Sequence, residues 1–163
     1  MTIIIKNKVT LEINDFKFRC SIGKRGVSKN KIEGDKKTPQ GSFKLGSLYF
    51  RKDRNNKPTT NISCIPIKKL MGWCDNPKDK KNYNSLVKIS KKIKCEKLYR
   101  NDYKYDFLIP ILYNSKKIPY KGSAIFIHLT KDYKKTLGCI ALKKNDFLIL
   151  LKLLKKDTKI KIF

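Results

Sequence analysis

The sequence predicts a mainly β fold that carries one late helix and a long irregular middle segment. Two observations point there. Short apolar runs with a period of two, separated by turn signals, fill most of the chain, and the period changes to the helical 3.6 only near the end. Residues 2–6 and 9–13 flank a short turn at Asn7-Lys8, and Asn14-Asp15 turns the chain into the alternating stretch that starts at Phe16. Gly23-Lys24-Arg25-Gly26 opens a polar loop that runs through Glu33-Gly34-Asp35. Thr38-Pro39-Gln40-Gly41 reads as a turn and Ser42 as the start of a new strand, since proline presets φ in a turn and glycine accepts the backbone angles that close it. From residue 51 to 84 the chain is rich in Pro, Asn and Asp and holds the only tryptophan, Trp73. A long irregular stretch inside a compact domain is usually a functional loop or a disordered one, and Trp73 and Tyr83 argue against pure disorder. Residues 107–113 and 123–129 are strands apolar enough to lie inside. Phe147, Leu150, Leu151 and Leu154 share one helical face behind Asn145 as N-cap, with Asp146 in the first turn. Residues 158–163 alternate as a closing strand.

At 163 residues the chain suits one domain, residues 1–163, large enough to bury a core without a metal or a staple. Apolar runs such as 147–151 are far short of the roughly 18–20 residues that span a bilayer, so no transmembrane segment is expected. Met1-Thr2-Ile3-Ile4-Ile5 meets Lys6 before a signal-peptide core can develop.

The formal charge of +27 bears on partners and solubility, not on fold. A nucleic-acid binder would draw affinity from phosphate neutralisation. Yet only five of the forty basic residues are arginine, the side chain whose planar fork suits phosphate and guanine. The lysines are spread over the whole chain, as solvated surface positions would be, and no specific nucleic acid is expected as a partner.

Five cysteines and one histidine fit no zinc-ligand spacing. Cys20 and Cys64 lie in apolar surroundings and read as small core residues. Cys139 differs. His128 ends the apolar run Ser123-Ala124-Ile125-Phe126-Ile127, and eleven residues on stands Cys139 in Thr136-Leu137-Gly138-Cys139. A thiol nucleophile needs a base to become thiolate near neutral pH and backbone N–H groups aimed at the developing oxyanion. A strand-end His and a Gly-Cys one short loop later can meet across neighbouring strands; a buried histidine beside an unrelated core cysteine is the alternative. In the first case Cys139 is expected to react at lower pH than the other thiols.

His128 followed by Thr136-Leu137-Gly138-Cys139 resembles the signature of the L,D-transpeptidase catalytic (YkuD-type) family, in its branch of short stand-alone domains. Gly23-Lys24-Arg25-Gly26, the stretch from Lys31 through Glu33-Gly34-Asp35 to Thr38-Pro39-Gln40-Gly41, and Gly72-Trp73-Cys74-Asp75-Asn76-Pro77 match the same pattern in order. Leu137 stands where many members carry a second histidine, and Ala141 where they carry Asn or Arg.

The resemblance implies a β-sandwich-like catalytic domain that performs acyl transfer on peptidoglycan stem peptides. Cys139 would be the nucleophile and His128 the base and acid. Backbone N–H groups at Leu137, Gly138 and Cys139 would be the oxyanion donors, with Thr136 bonding within the site. Arg25, Trp73 and Tyr83 are candidate substrate contacts, each with a structural or solvated role as the alternative. No metal or organic cofactor is implied. With water as acceptor the same site is an L,D-carboxypeptidase; a basic polyanion binder with a degenerate site is the competing reading. The substrate implies the cell envelope or periplasm.

Overall fold

The computed structural model describes residues 1–163. Strands β1 (Thr2–Ile5), β2 (Thr10–Ile13) and β3 (Phe16–Arg19) form an antiparallel meander, with Lys8 and Asn14 at positive φ in its turns. Ile3, Ile5, Leu11 and Ile13 alternate with less buried neighbours, so all four fall on one buried face. β4 (Val27–Ser28) and β5 (Thr38–Pro39) pair in parallel. Thr38-Pro39 is therefore strand and not turn, because Thr38 N–H and Gln40 N–H donate to the Gly26 and Ser28 carbonyls. β6 (Gly41–Lys44) follows at once.

The middle is less irregular than its composition suggests. β7 (Leu48–Phe50), β8 (Cys64–Pro66), β9 (Met71–Trp73), β10 (Leu86–Lys88) and β11 (Glu96–Lys97) punctuate it, and β10, β9 and β11 make a small sheet of their own. β12 (Phe107–Pro110), β13 (Phe126–Leu129) and β14 (Ile140–Leu142) precede the helix α1 (Lys144–Leu153) and the last strand, β15 (Lys159–Ile162).

Two five-stranded sheets result, ordered β3-β2-β1-β15-β6 and β14-β13-β12-β7-β8. The closing strand lies inside the first sheet, parallel to β1 and antiparallel to β6. One core of 23 residues joins the inner faces of both sheets to Phe147, Leu150, Leu151 and Leu154, giving the sandwich-like layering with one packed helix. A second, smaller core lies on the opposite face of the second sheet, where Tyr49, Leu108 and Phe126 meet Leu98, Tyr105 and Ile67. The long middle segment thus covers the outer face of the sheet that carries β13 and β14.

The helix cap departs from expectation. Lys143 holds the N-cap position without a side-chain bond, and Asn145 lies inside the first turn. Thr130 N–H still donates to the Leu142 carbonyl, and Phe147 N–H already donates to the Lys143 carbonyl. Lys143 is the single residue left between ladder and helix, so it takes the extended cap geometry.

The helix face gives a direct check. Leu150→Ala, at a fully buried site, should lower unfolding free energy by about 2–5 kcal/mol in urea melts. Ile149→Ala, at a position 39% exposed, should change it by less than about 0.5 kcal/mol.

Candidate active site

The site grows out of strand alternation. β13 and β14 are parallel, with Ile127 beside Ile140, His128 beside Ala141 and Leu129 beside Leu142. Ile127, Leu129, Ile140 and Leu142 belong to the main core. The period of two therefore turns Phe126, His128, Cys139 and Ala141 to the other face. With strands about 4.8 Å apart and about 3.3 Å of rise per residue, Cys139 and His128 lie roughly 8 Å apart along a backbone diagonal. Both line one cavity of about 990 Å³.

The Cys139 thiol donates to the Ala124 carbonyl at 3.3 Å and accepts from Phe126 N–H at 3.3 Å. Ala124 sits at φ +50°, a left-handed conformation that costs an alanine about 1–2 kcal/mol. Asn84 holds it there. Its Oδ1 accepts from Ala124 N–H at 3.2 Å and from Trp73 Nε1–H at 3.0 Å, and its Nδ2 donates to the Tyr113 and Asn114 carbonyls.

His128 is 8% exposed. Its Nδ1–H donates to the Leu129 carbonyl at 2.9 Å, which leaves Nε2 as the ring atom able to accept a proton. Burial, joined by the charges of Lys104 and Arg100, pushes its pKa down to about 4 against the pull of that carbonyl. The Tyr105 ring meets the imidazole edge-on, 5.5 Å between centroids, and its hydroxyl donates to Glu96. Burial raises the Cys139 thiol to about 12, with Glu96 adding to the rise. These shifts run against the expectation that Cys139 reacts at lower pH than the other thiols: they favour a resting thiol and a neutral imidazole over an ion pair.

The turn that carries Cys139 is fastened from several sides. Thr136 Oγ1 donates to the Cys139 carbonyl and accepts from Gly138 N–H at 3.1 Å, so that hydroxyl is spent within the turn. Thr38 Oγ1 donates to the Gly138 carbonyl at 2.8 Å. Gly138 has φ +140°, and a Cβ there would lie 2.9 Å from the Lys37 carbonyl, so only glycine fits. The N–H groups of Leu137 and Cys139 find no acceptor within the chain, and Leu137 is 67% exposed at the cavity rim.

The three expected substrate contacts are not brought to the cavity. The Arg25 side chain is exposed and makes no hydrogen bond. Trp73 packs edge-on against Phe126, 5.3 Å between centroids. Tyr83 is fully buried, donating to Glu33 while its oxygen accepts from Gly122 N–H at 3.0 Å. Trp73 and Tyr83 support the walls of the site. Of the charged groups that line it, Arg100 and Glu96 had no distinguishing signal in so charged a sequence, and Lys31 and Glu33 were marked only as part of a matching stretch, with no role attached. All five cysteines are free, and no helix is long and apolar enough to cross a membrane.

Against known proteins, the sequence profile of the L,D-transpeptidase catalytic domain matches residues 1–162. The fold resembles the crystal structure of the helical cell shape determining protein Pgp2 from Campylobacter jejuni, at 20% identity and a TM-score of 0.51, and that of its K307A mutant, at 20% and 0.50. Each alignment covers 99% of this chain and 46% of the other, so the chain spans about half the length of those proteins. No curated protein matches it.

His128 makes stability depend on pH. Its folded pKa, about 4, lies below the ordinary 6.5, so the unfolded chain takes up the proton first. Its contribution is complete above pH 6.5 and falls by about 3 kcal/mol as pH drops toward 4. Urea melts of wild type and His128→Gln across this interval should show that slope in the wild type and lose it in the variant.

Proposed function

The chain belongs to the L,D-transpeptidase catalytic-domain family of peptidoglycan enzymes, and on that premise we propose that it carries out cysteine-dependent acyl transfer on peptidoglycan stem peptides. One observation carries the reading: Cys139 and His128 share a cavity, with the histidine neutral and its Nδ1 committed to the Leu129 carbonyl. A neutral imidazole with Nε2 free is the form a general base requires.

His128 Nε2 takes the Cys139 proton as sulfur attacks the carbonyl carbon of the L-centre of a diamino-acid residue. Charge moves to the carbonyl oxygen, where the unpartnered N–H groups of Leu137 and Cys139 stabilise it; Gly138 N–H is held by Thr136. The C–N bond then breaks. His128 returns the proton to the departing amine of D-alanine, and a thioester remains on Cys139. An acceptor amine attacks the thioester, gives its proton to His128, and the sulfur leaves to be reprotonated. No step calls on a metal or an organic cofactor.

The cavity offers charges of both signs. Lys24, Lys31 and Arg100 line it together with Glu33, Asp75 and Glu96, and none of these three carboxylates is in an ion pair. Stem peptides carry free carboxylates and amines, so such a wall suits them. The cell envelope is the compartment where that substrate lies. The spread of lysines over the whole chain favours this reading over a polyanion binder with a degenerate site.

Purified protein incubated with tetrapeptide muropeptides should release D-alanine and yield crosslinked dimers; tripeptides without dimers would assign water as the acceptor. Cys139→Ala should reduce product at least about 10³-fold, and Cys20→Ala should leave it near wild type. Equal turnover in wild type and Cys139→Ala would refute the proposal.

A further inference from the structure

Of forty basic residues only Lys31 and Arg51 are buried. Arg51 spends its guanidinium on Asp53 and on the Arg100 carbonyl. Lys31, 3% exposed, lies against the nucleophile turn and lines the cavity that Cys139 and His128 share. Withdrawing an ammonium from water costs several kcal/mol, so a chain with this many solvated lysines has no packing need to bury one.

One glycine makes room for it and a second lies beside it. A Cβ at Gly122 would lie 2.9 Å from Lys31 Cε, and one at Gly138 would lie 3.6 Å from Lys31 Nζ. The ammonium donates to Asp35 Oδ1 at 2.7 Å and, at 3.4 Å, to the Ile32 carbonyl. Its third proton has no acceptor in the chain. Asp35 is anchored in turn, accepting from Ile32 N–H and Lys37 N–H at 2.9 Å each. The carboxylate that holds the cation is thus itself held by backbone of the same loop. That loop reaches Gly138 by two further groups, the Lys37 carbonyl and the Thr38 hydroxyl. The acyl-transfer steps use none of this.

The geometry points to Lys31 as an electrostatic positioning residue: its fixed ammonium, seated beside Gly138, lowers the cost of negative charge on the Cys139 sulfur and on the oxyanion that forms there, while Asp35 keeps it in place. The groups around the thiol set the balance. Burial raises its pKa most, Glu96 raises it further, Phe126 N–H and Lys31 lower it, and Tyr105 and His128 face it uncharged. This inference rests on Cys139 being the nucleophile, but its test needs no peptidoglycan.

The measurement is the rate at which iodoacetamide labels Cys139 across the alkaline range, read by peptide mass mapping with Cys64 as internal standard. Lys31→Met strands the half-buried Asp35, so the double variant Lys31→Met/Asp35→Asn, which removes the pair together, carries the test. In the folded double variant Cys139 should label roughly threefold more slowly than in wild type at each pH, because the ammonium is the member of the pair that lies against Gly138 and acts on the sulfur, while the carboxylate lost with it lies behind the ammonium. Cys64 should be unchanged, and Lys31→Arg should stay near wild type. Wild-type labelling of Cys139 in the folded double variant would overturn the inference. If the labelling shift appears but no variant, nor the wild type, turns over a stem peptide, the acyl-transfer reading fails and the role of Lys31 stands.

Discussion

The site depends on one pairing, the parallel ladder between β13 and β14 that sets Ile127 beside Ile140 and His128 beside Ala141. A slip of one residue in either strand would carry its site residue to the opposite face. The register is enforced from the other side of the sheet. Ile127, Ile140 and Leu142 are fully buried in the main core, and moving any of them outward would expose apolar surface worth about 1.5–3 kcal/mol per side chain. The placement of Cys139 and His128 on one face is thus a by-product of core packing, and the helix that follows β14 after one residue reinforces it.

The second consequence is a site largely shielded from water. The smaller core under Phe126 and Tyr105, built by the middle segment, buries the imidazole and leaves the sulfur half-buried at the cavity wall. Burial acts on both in the same sense: it disfavours the charged form, keeping the thiol protonated and the imidazole neutral. Charge appears at this site only as the reaction proceeds, and fixed dipoles and charges act strongly on it there. The net charge of +27 is otherwise a property of the solvated surface, since only two of its forty carriers are buried.

Much of this was legible in the sequence. The alternation in β1, β2 and β15 and the helical face of Phe147, Leu150, Leu151 and Leu154 announced themselves, because period and burial are local properties of a strand or helix. His128 and Gly138-Cys139 stood out as a candidate pair because the single histidine ends an apolar run one short loop before the cysteine, and the resemblance of Thr136-Leu137-Gly138-Cys139 to the family signature chose that reading over an unrelated buried histidine and cysteine. Long-range partners were not legible. Thr38 bonds Gly138 across 100 residues, Asn84 holds Ala124 across 40, and β15 joins β1 from the opposite end of the chain. Lys31 opens a stretch that matches the family pattern, but among so many lysines nothing marked it as the buried one. Chemical type alone left Arg25, Trp73 and Tyr83 open between substrate contact and a structural or solvated role; packing gives Trp73 and Tyr83 supporting positions and leaves Arg25 in solvent.

The central claim is that Cys139 carries the acyl group. The most direct measurement is the mass of the intact protein after brief exposure to a tetrapeptide stem, with peptide mapping of any adduct. A single adduct equal in mass to the stem less one molecule of D-alanine, located on Cys139 and lost in hydroxylamine, is the expected result. An adduct on any other residue, or turnover of the stem with Cys139 replaced, would contradict it.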